Sequence, residues 1–182
     1  MSKKIIIILF TVLMVLSVIA AQALTPEIFV KRYNGYNDLV AKNAFENISL
    51  QDFVQVKDYP DKFELSLEDE FITLGYNLKK DGHIESCYLS SLTTAPGAEN
   101  HLAFIGLMRD YASFLMVVLT QKMTWKEAGY FFDYLIKGSL IDKPHDNEFT
   151  IDGITFYYNF GKIEIDNTKY GTARTYFFLC FP

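Results

Sequence analysis

The sequence predicts an α+β fold: antiparallel sheet strands with an N-terminal helix and a central helical hairpin packed on one face. Three observations carry this. Apolar residues recur at three- and four-residue steps after Thr25-Pro26 and again between His101 and Lys137, the spacing of a helix face. They recur at steps of two between Leu50 and Leu92 and between Phe149 and Phe181, the spacing of a strand face. Asp-Gly pairs stand at Asp81-Gly82 and Asp152-Gly153, and both residue types tolerate the positive φ of a tight hairpin.

Half of the 182 residues are hydrophobic, but 17 of them fall within the first 23 positions. That segment has Lys3 and Lys4, an apolar run from Ile5 to about Ile19, and Ala21-Gln22-Ala23, the three-part layout of a secretory signal peptide. Residues 1–23 are therefore read as a signal peptide cleaved after Ala23, with 24–182 as a single exported domain. The short signal and small chain have a bacterial look. The alternative is an uncleaved anchor, the one route by which a membrane enters as partner; either way the lysines hold the start inside and the domain lies outside, periplasmic or secreted. Without the first 23 residues the formal charge moves from −5 to −7. A nucleic-acid partner is excluded on that ground, since such binding draws on a cationic surface.

The elements follow in order. Thr25-Pro26-Glu27 caps a helix expected to run to about Lys42, with Ile28, Phe29, Tyr33, Tyr36, Leu39 and Val40 on one apolar face. Leu50, Val54 and Val56 predict a first strand; Phe63–Leu67 and Ile72–Leu78 alternate as the next two, joined by the acidic turn at Glu68. Lys80-Asp81-Gly82-His83 predicts a type I′ hairpin leading to a fourth strand over His83–Leu92. Thr93 to Gly97 breaks the pattern. His101–Met123 is apolar on more than one stripe and must be largely buried, while Arg109, Asp110 and Gln121 argue against a membrane span. Thr124 and Glu127 form a capping box for a second helix ending at Gly138. The tail predicts a second hairpin around Asp152-Gly153, a turn at Gly161, a segment Lys162–Asp166, and a last strand Thr172–Phe181. The order helix, meander, cysteine-bearing strand occurs twice, so two similar α-then-β halves are an open reading, and they would set the two last strands side by side.

Cys87 and Cys180 are the only cysteines, and both lie in the exported part, where an even count favours a disulfide. It would close a loop of about 94 residues, for which loop-closure entropy amounts to about 4 to 5 kcal/mol as an upper figure. The competing reading is two buried thiols that pack as small apolar groups.

Catalytic strings are missing: no G-x-S-x-G, no H-E-x-x-H, no glycine-rich phosphate loop, no C-x-x-C. Asp166 to Gly171 begins like a calcium loop, but Thr168, Tyr170 and Phe177 stand where oxygen ligands are needed. No metal or cofactor is expected. His145 in its acidic loop, His101 near a helix start and His83 beside a turn read as solvated polar residues; a hydrolase built on His145 or His101 with Ser86, Ser90 or Ser91 has no support from spacing. The distinctive feature is aromatic load, with Tyr157, Tyr170 and Tyr176 gathered in the final meander. Tyrosine offers large rigid contact area with a polar tip, and alternation is expected to put Tyr157 and Tyr176 opposite the main apolar row. The sequence thus predicts an exported, non-enzymatic binding module for another protein, comparable in architecture to small bacterial inhibitor and immunity proteins although no motif matches one. The alternative from another class is a carrier for an apolar ligand held between helix and sheet.

Overall fold

A computed structural model describes residues 24–68, 71–93, 98–140, 148–164 and 172–182. The expected signal segment, the loop carrying His145, the break after Thr93, and Tyr170 with most of the calcium-like loop lie outside these residues, as does the side chain of His101. The chain is α+β. Helix α1 (Pro26–Leu39) is followed by a 3-10 turn (Leu50–Asp52), then β1 (Val54–Gln55), β2 (Lys62–Leu67), β3 (Ile72–Leu78) and β4 (Ile84–Thr93). The helical hairpin α2 (Ala98–Thr120) and α3 (Trp125–Leu140) leads to β5 (Glu148–Ile151), β6 (Ile154–Glu164) and β7 (Thr172–Phe181). No described helix is long and apolar enough to cross a membrane.

All seven strands form one antiparallel sheet in the order β1-β2-β3-β4-β7-β6-β5. Each half contributes a meander, and the halves meet where the last strand of each, β4 and β7, pair. Because side chains alternate across a strand, the register sorts residues into faces. Phe63, Tyr76, Cys87, Cys180, Phe156 and Phe149 are successive partners across six strands. Beside them runs Leu65, Leu74, Leu89, Phe178 and Tyr158. These two rows form the floor of the core.

The helices cover that floor. Phe132 of α3 is fully buried and sets its ring edge-on to Tyr158 and Phe178, at centroid distances of 5.2 and 6.0 Å. Phe131 stacks on Phe149, and Phe149 on Phe156, carrying the aromatic contact from helix to sheet. Helix α2 is buried on every side from Tyr111 to Thr120, as its lack of a polar stripe requires. Tyr33 of α1 meets Phe114 of α2 edge-on at 4.8 Å. The hairpin α2–α3 is clamped at its surface by Arg109, whose Nε and Nη2 donate to the two Asp133 oxygens at 2.8 and 3.1 Å. Gly129 permits this, since a Cβ there would meet the guanidinium.

The expected capping box forms: Glu127 Oε2 accepts from the Thr124 N–H at 2.8 Å, and Thr124 Oγ1 accepts from the Glu127 N–H at 3.3 Å. Thr124→Ala is therefore expected to lower stability by about 1 kcal/mol, read from the denaturant midpoint, and an unchanged midpoint would show that the cap contributes nothing.

Several expectations are corrected. Helix α1 stops at Leu39, because Lys42 and Asn43 turn to positive φ and Asn37 holds the following loop through Phe45 and Asn47, and this leaves Leu39 and Val40 exposed and not on the buried face. The first strand shrinks to two residues, because Leu50–Asp52 forms a 3-10 turn in which Asp52 caps the Ser49 N–H. The two Asp-Gly pairs make different turns. Asp152 and Gly153 both have positive φ, as a type I′ turn demands, with Ile151 and Ile154 paired across it. At the first hairpin only Gly82 does: Gly82 N–H bonds Lys79 O, Lys79 N–H bonds His83 O, and the strand pair slips register after Asn77. That is a three-residue loop with glycine in the left-handed bulge position. Gly138 lies within α3, and Gly161 is an ordinary ladder position opposite Thr175, so β6 is one long strand.

Candidate functional site

The sheet face turned away from the helices carries the other alternate set. Its central row is Val54, Glu64, Gly75, Tyr88, Leu179, Tyr157 and Glu148, one residue from each strand. At about 4.8 Å between strands this row spans roughly 29 Å. Tyr157 and Leu179 are half-buried, and Phe181 on the same strand face as Leu179 is 43% exposed.

Tyr88 organises the N-terminal half of this face. Gly75 stands directly opposite it, and the phenol ring lies across the glycine, where a Cβ would overlap Cζ and Oη of the tyrosine. This orientation carries the hydroxyl to Glu64 Oε1, which accepts its hydrogen bond. Lys62 Nζ sits 2.9 Å from the same oxygen and 5.0 Å from the centre of the Tyr88 ring. Asn77 Nδ2 donates to Ser86 Oγ at 2.8 Å one row away. Burial raises Tyr88, and its bond to Glu64 raises it further, so the hydroxyl remains a donor.

Desolvation pulls Glu64 upward, but the Tyr88 hydroxyl and Lys62 together hold its carboxyl below the usual range. A carboxyl with a lowered folded-state value stabilises the fold above its unfolded value and loses that contribution as pH falls through the folded value. Glu64→Gln is thus expected to flatten the loss of stability below about pH 4.5, where unfolded glutamate is already about half protonated. Urea midpoints from pH 6 down to about pH 3 read this effect, and a variant curve parallel to the wild type would contradict it.

Of the three predicted tyrosines, Tyr157 is the one whose side chain lies among the described residues. Tyr157 occupies the face away from the helices, opposite Leu179 and Glu148. Tyr176 is opposite Ser91 and Phe160, at a register position alternate with Leu179 and in step with Phe178 and Cys180. The helices cover Phe178 and Cys180 of β7; the Tyr176 side chain and all of Tyr170 are outside the described structure. Tyr88, which the sequence reading passed over, is the better landmark. A glycine inside an alternating strand, with an aromatic at the matching position of the next strand, is the signal that could have found it.

A second concavity lies on α1, a cleft of about 510 Å³ lined by Ile28, Lys31, Arg32, Gly35, Tyr36, Leu39 and Gln121. The Gln121 side-chain amide lies against the Arg32 guanidinium, while the Tyr36 hydroxyl donates to the Gln121 backbone carbonyl at 3.3 Å. Leu39 on its rim is 84% exposed.

Both thiols and two of the buried phenols are held neutral. Burial pushes the Cys87 and Cys180 thiols up, and Tyr33 and Tyr111 are raised by burial and by carboxylates including Glu46 and Glu68. The Tyr111 hydroxyl donates to Glu68 Oε1 at 2.7 Å. His83 Nδ1 lies 3.1 Å from Asp81 Oδ1, which also accepts the His83 backbone N–H, so this histidine fastens its own turn. Ser86 is bonded to Asn77 across the strand pair, and the buried Ser91 hydroxyl finds no partner among the described residues. Among the described residues no group of three or more histidine, cysteine, aspartate or glutamate side chains is placed to hold a metal ion. Comparison with family models, with curated proteins and with solved structures found no match.

Proposed function

We propose that this chain is an exported, non-enzymatic binding module that recognises another protein through the sheet face turned away from its helices. The observation that carries this reading is the seven-residue row across that face, with Tyr157, Leu179 and Phe181 as amphipathic and apolar contacts among polar neighbours. The strands β3, β4, β6 and β7 are 7, 10, 11 and 10 residues long. With a row of roughly 29 Å, they give a face on the order of 800 Å², which is the contribution of one partner to a standard protein–protein interface.

The rival reading as a carrier needs room between helix and sheet. Among the described residues that space is filled by Phe132, Phe156, Tyr158 and Phe178, all at most 2% exposed. This favours the protein partner. The test is retention on the immobilised domain from an extracytoplasmic extract, run beside a Tyr157→Ser, Leu179→Ser double variant whose unfolding midpoint is checked first. A discrete protein held by the wild type and lost by the folded variant is expected. Equal retention by both would remove this face from the interaction.

A further inference from the structure

We propose that Cys87 and Cys180 form an intramolecular disulfide that fastens the β4–β7 seam, made during folding before the helices close over the sheet. The two residues are direct partners in the antiparallel ladder. Directly opposed residues have Cα atoms about 4.5 or 5.5 Å apart, depending on which kind of ladder position they hold. Both separations fall within the range of about 4.4 to 6.8 Å that a disulfide bridges without moving the backbone. The side chains share a face, since Cys87 and Cys180 stand between Tyr76 and Phe156 in one cross-strand row.

The position matters as much as the distance. The β4–β7 ladder is the pairing that joins strands β1–β4 to strands β5–β7. A bond there ties the two meanders into one closed unit.

The timing follows from burial. Both thiols are free and fully buried in the structure, in the core between sheet and helices. The attacking species in thiol–disulfide exchange is the thiolate, and desolvation makes it scarce at both sulfurs once the fold is complete. Exchange therefore belongs to the open chain. There, the thiolate of one cysteine attacks a sulfur of an external disulfide, forming a mixed disulfide and expelling one carrier thiolate. The other cysteine, as thiolate, attacks the protein sulfur of that mixed disulfide and expels the second carrier thiolate. Two protein thiols lose two electrons and two protons, and the carrier disulfide becomes a dithiol or two thiols. The oxidant is thus a protein or small-molecule disulfide of the compartment, which rests on the export reading; the bond itself does not depend on the binding face.

The test uses the mature chain recovered from the extracytoplasmic fraction. Unfolded in denaturant with an alkylating reagent and no reductant, it is expected to take up no label, and two labels after reduction, by intact mass. Two labels without reduction would overturn the bond. Reductant added to the native protein is expected to leave the bond intact until denaturant is present; prompt reduction in the folded state would overturn the proposed order. Cys87→Ala, Cys180→Ala and the double variant, made under the same conditions, should share nearly one unfolding midpoint, because either single change already removes the cross-link. Single effects that add in the double variant would instead mark two independently packed thiols.

Discussion

Phe132→Ala is expected to remove about 3 to 5 kcal/mol of stability, a large share of the 5 to 15 kcal/mol typical of a domain. The ring is fully buried and is the contact through which α3 grips both Tyr158 and Phe178. Those two residues lie on β6 and β7, opposite each other in the ladder, so the cavity would open directly over the C-terminal meander. Collapse into it is hindered because Tyr158 and Phe178 are anchored by sheet pairing on either side. Equilibrium denaturant unfolding reads the loss. Tyr130→Ala, two residues earlier on the opposite side of α3 and 61% exposed, is the control and should change stability by less than about 1 kcal/mol. Equal effects of the two changes would mean that the helical hairpin is not seated on this floor.

Gly75→Val is the second large effect, on the opposite face. The new side chain would occupy the space of the Tyr88 ring and force it off the sheet. Overpacking costs about 1 to 3 kcal/mol, and loss of the tyrosine bond to the Glu64 carboxylate adds about 1.5 to 3 kcal/mol. The two mechanisms share one side chain, so they are not independent. Tyr88→Ala removes the obstacle, and Gly75→Val in that background should cost less by on the order of 1 kcal/mol or more. Strict additivity of the two changes would show that the ring does not lie over the glycine.

Much of the architecture was legible because local chemistry and the fold agree. The Thr25 and Thr124 caps, the period of two over Phe63–Leu67 and Ile72–Leu78, and the all-round apolar run of α2 each had one physical reading. What was not legible depended on partners. The same Asp-Gly pair gives a type I′ turn where Ile151 faces Ile154 and a bulged loop where Asn77 begins a register slip. Gly161 looks like a breaker until Thr175 is placed beside it. For the candidate site, the tyrosine count was a weak guide. Tyr33, Tyr76, Tyr111 and Tyr158 are core residues, and Tyr88 is enclosed over Gly75. In β7 from Tyr176 to Phe181, where both alternate sets are aromatic or apolar, the sequence contains no polar set to mark the solvent side. The choice falls to the helices, which take Phe178 and Cys180 and leave Leu179 and Phe181 for the other face.

The central claim is that the face bearing Tyr157 meets another protein. A photo-reactive amino acid placed at position 157, in cells exporting the full-length chain, tests this most directly, with position 130 on the exposed surface of α3 as the comparison. One discrete cross-linked protein from position 157, with none from position 130, is the predicted result. Cross-linking from position 130 with none from position 157, by a folded and exported chain, would contradict the account.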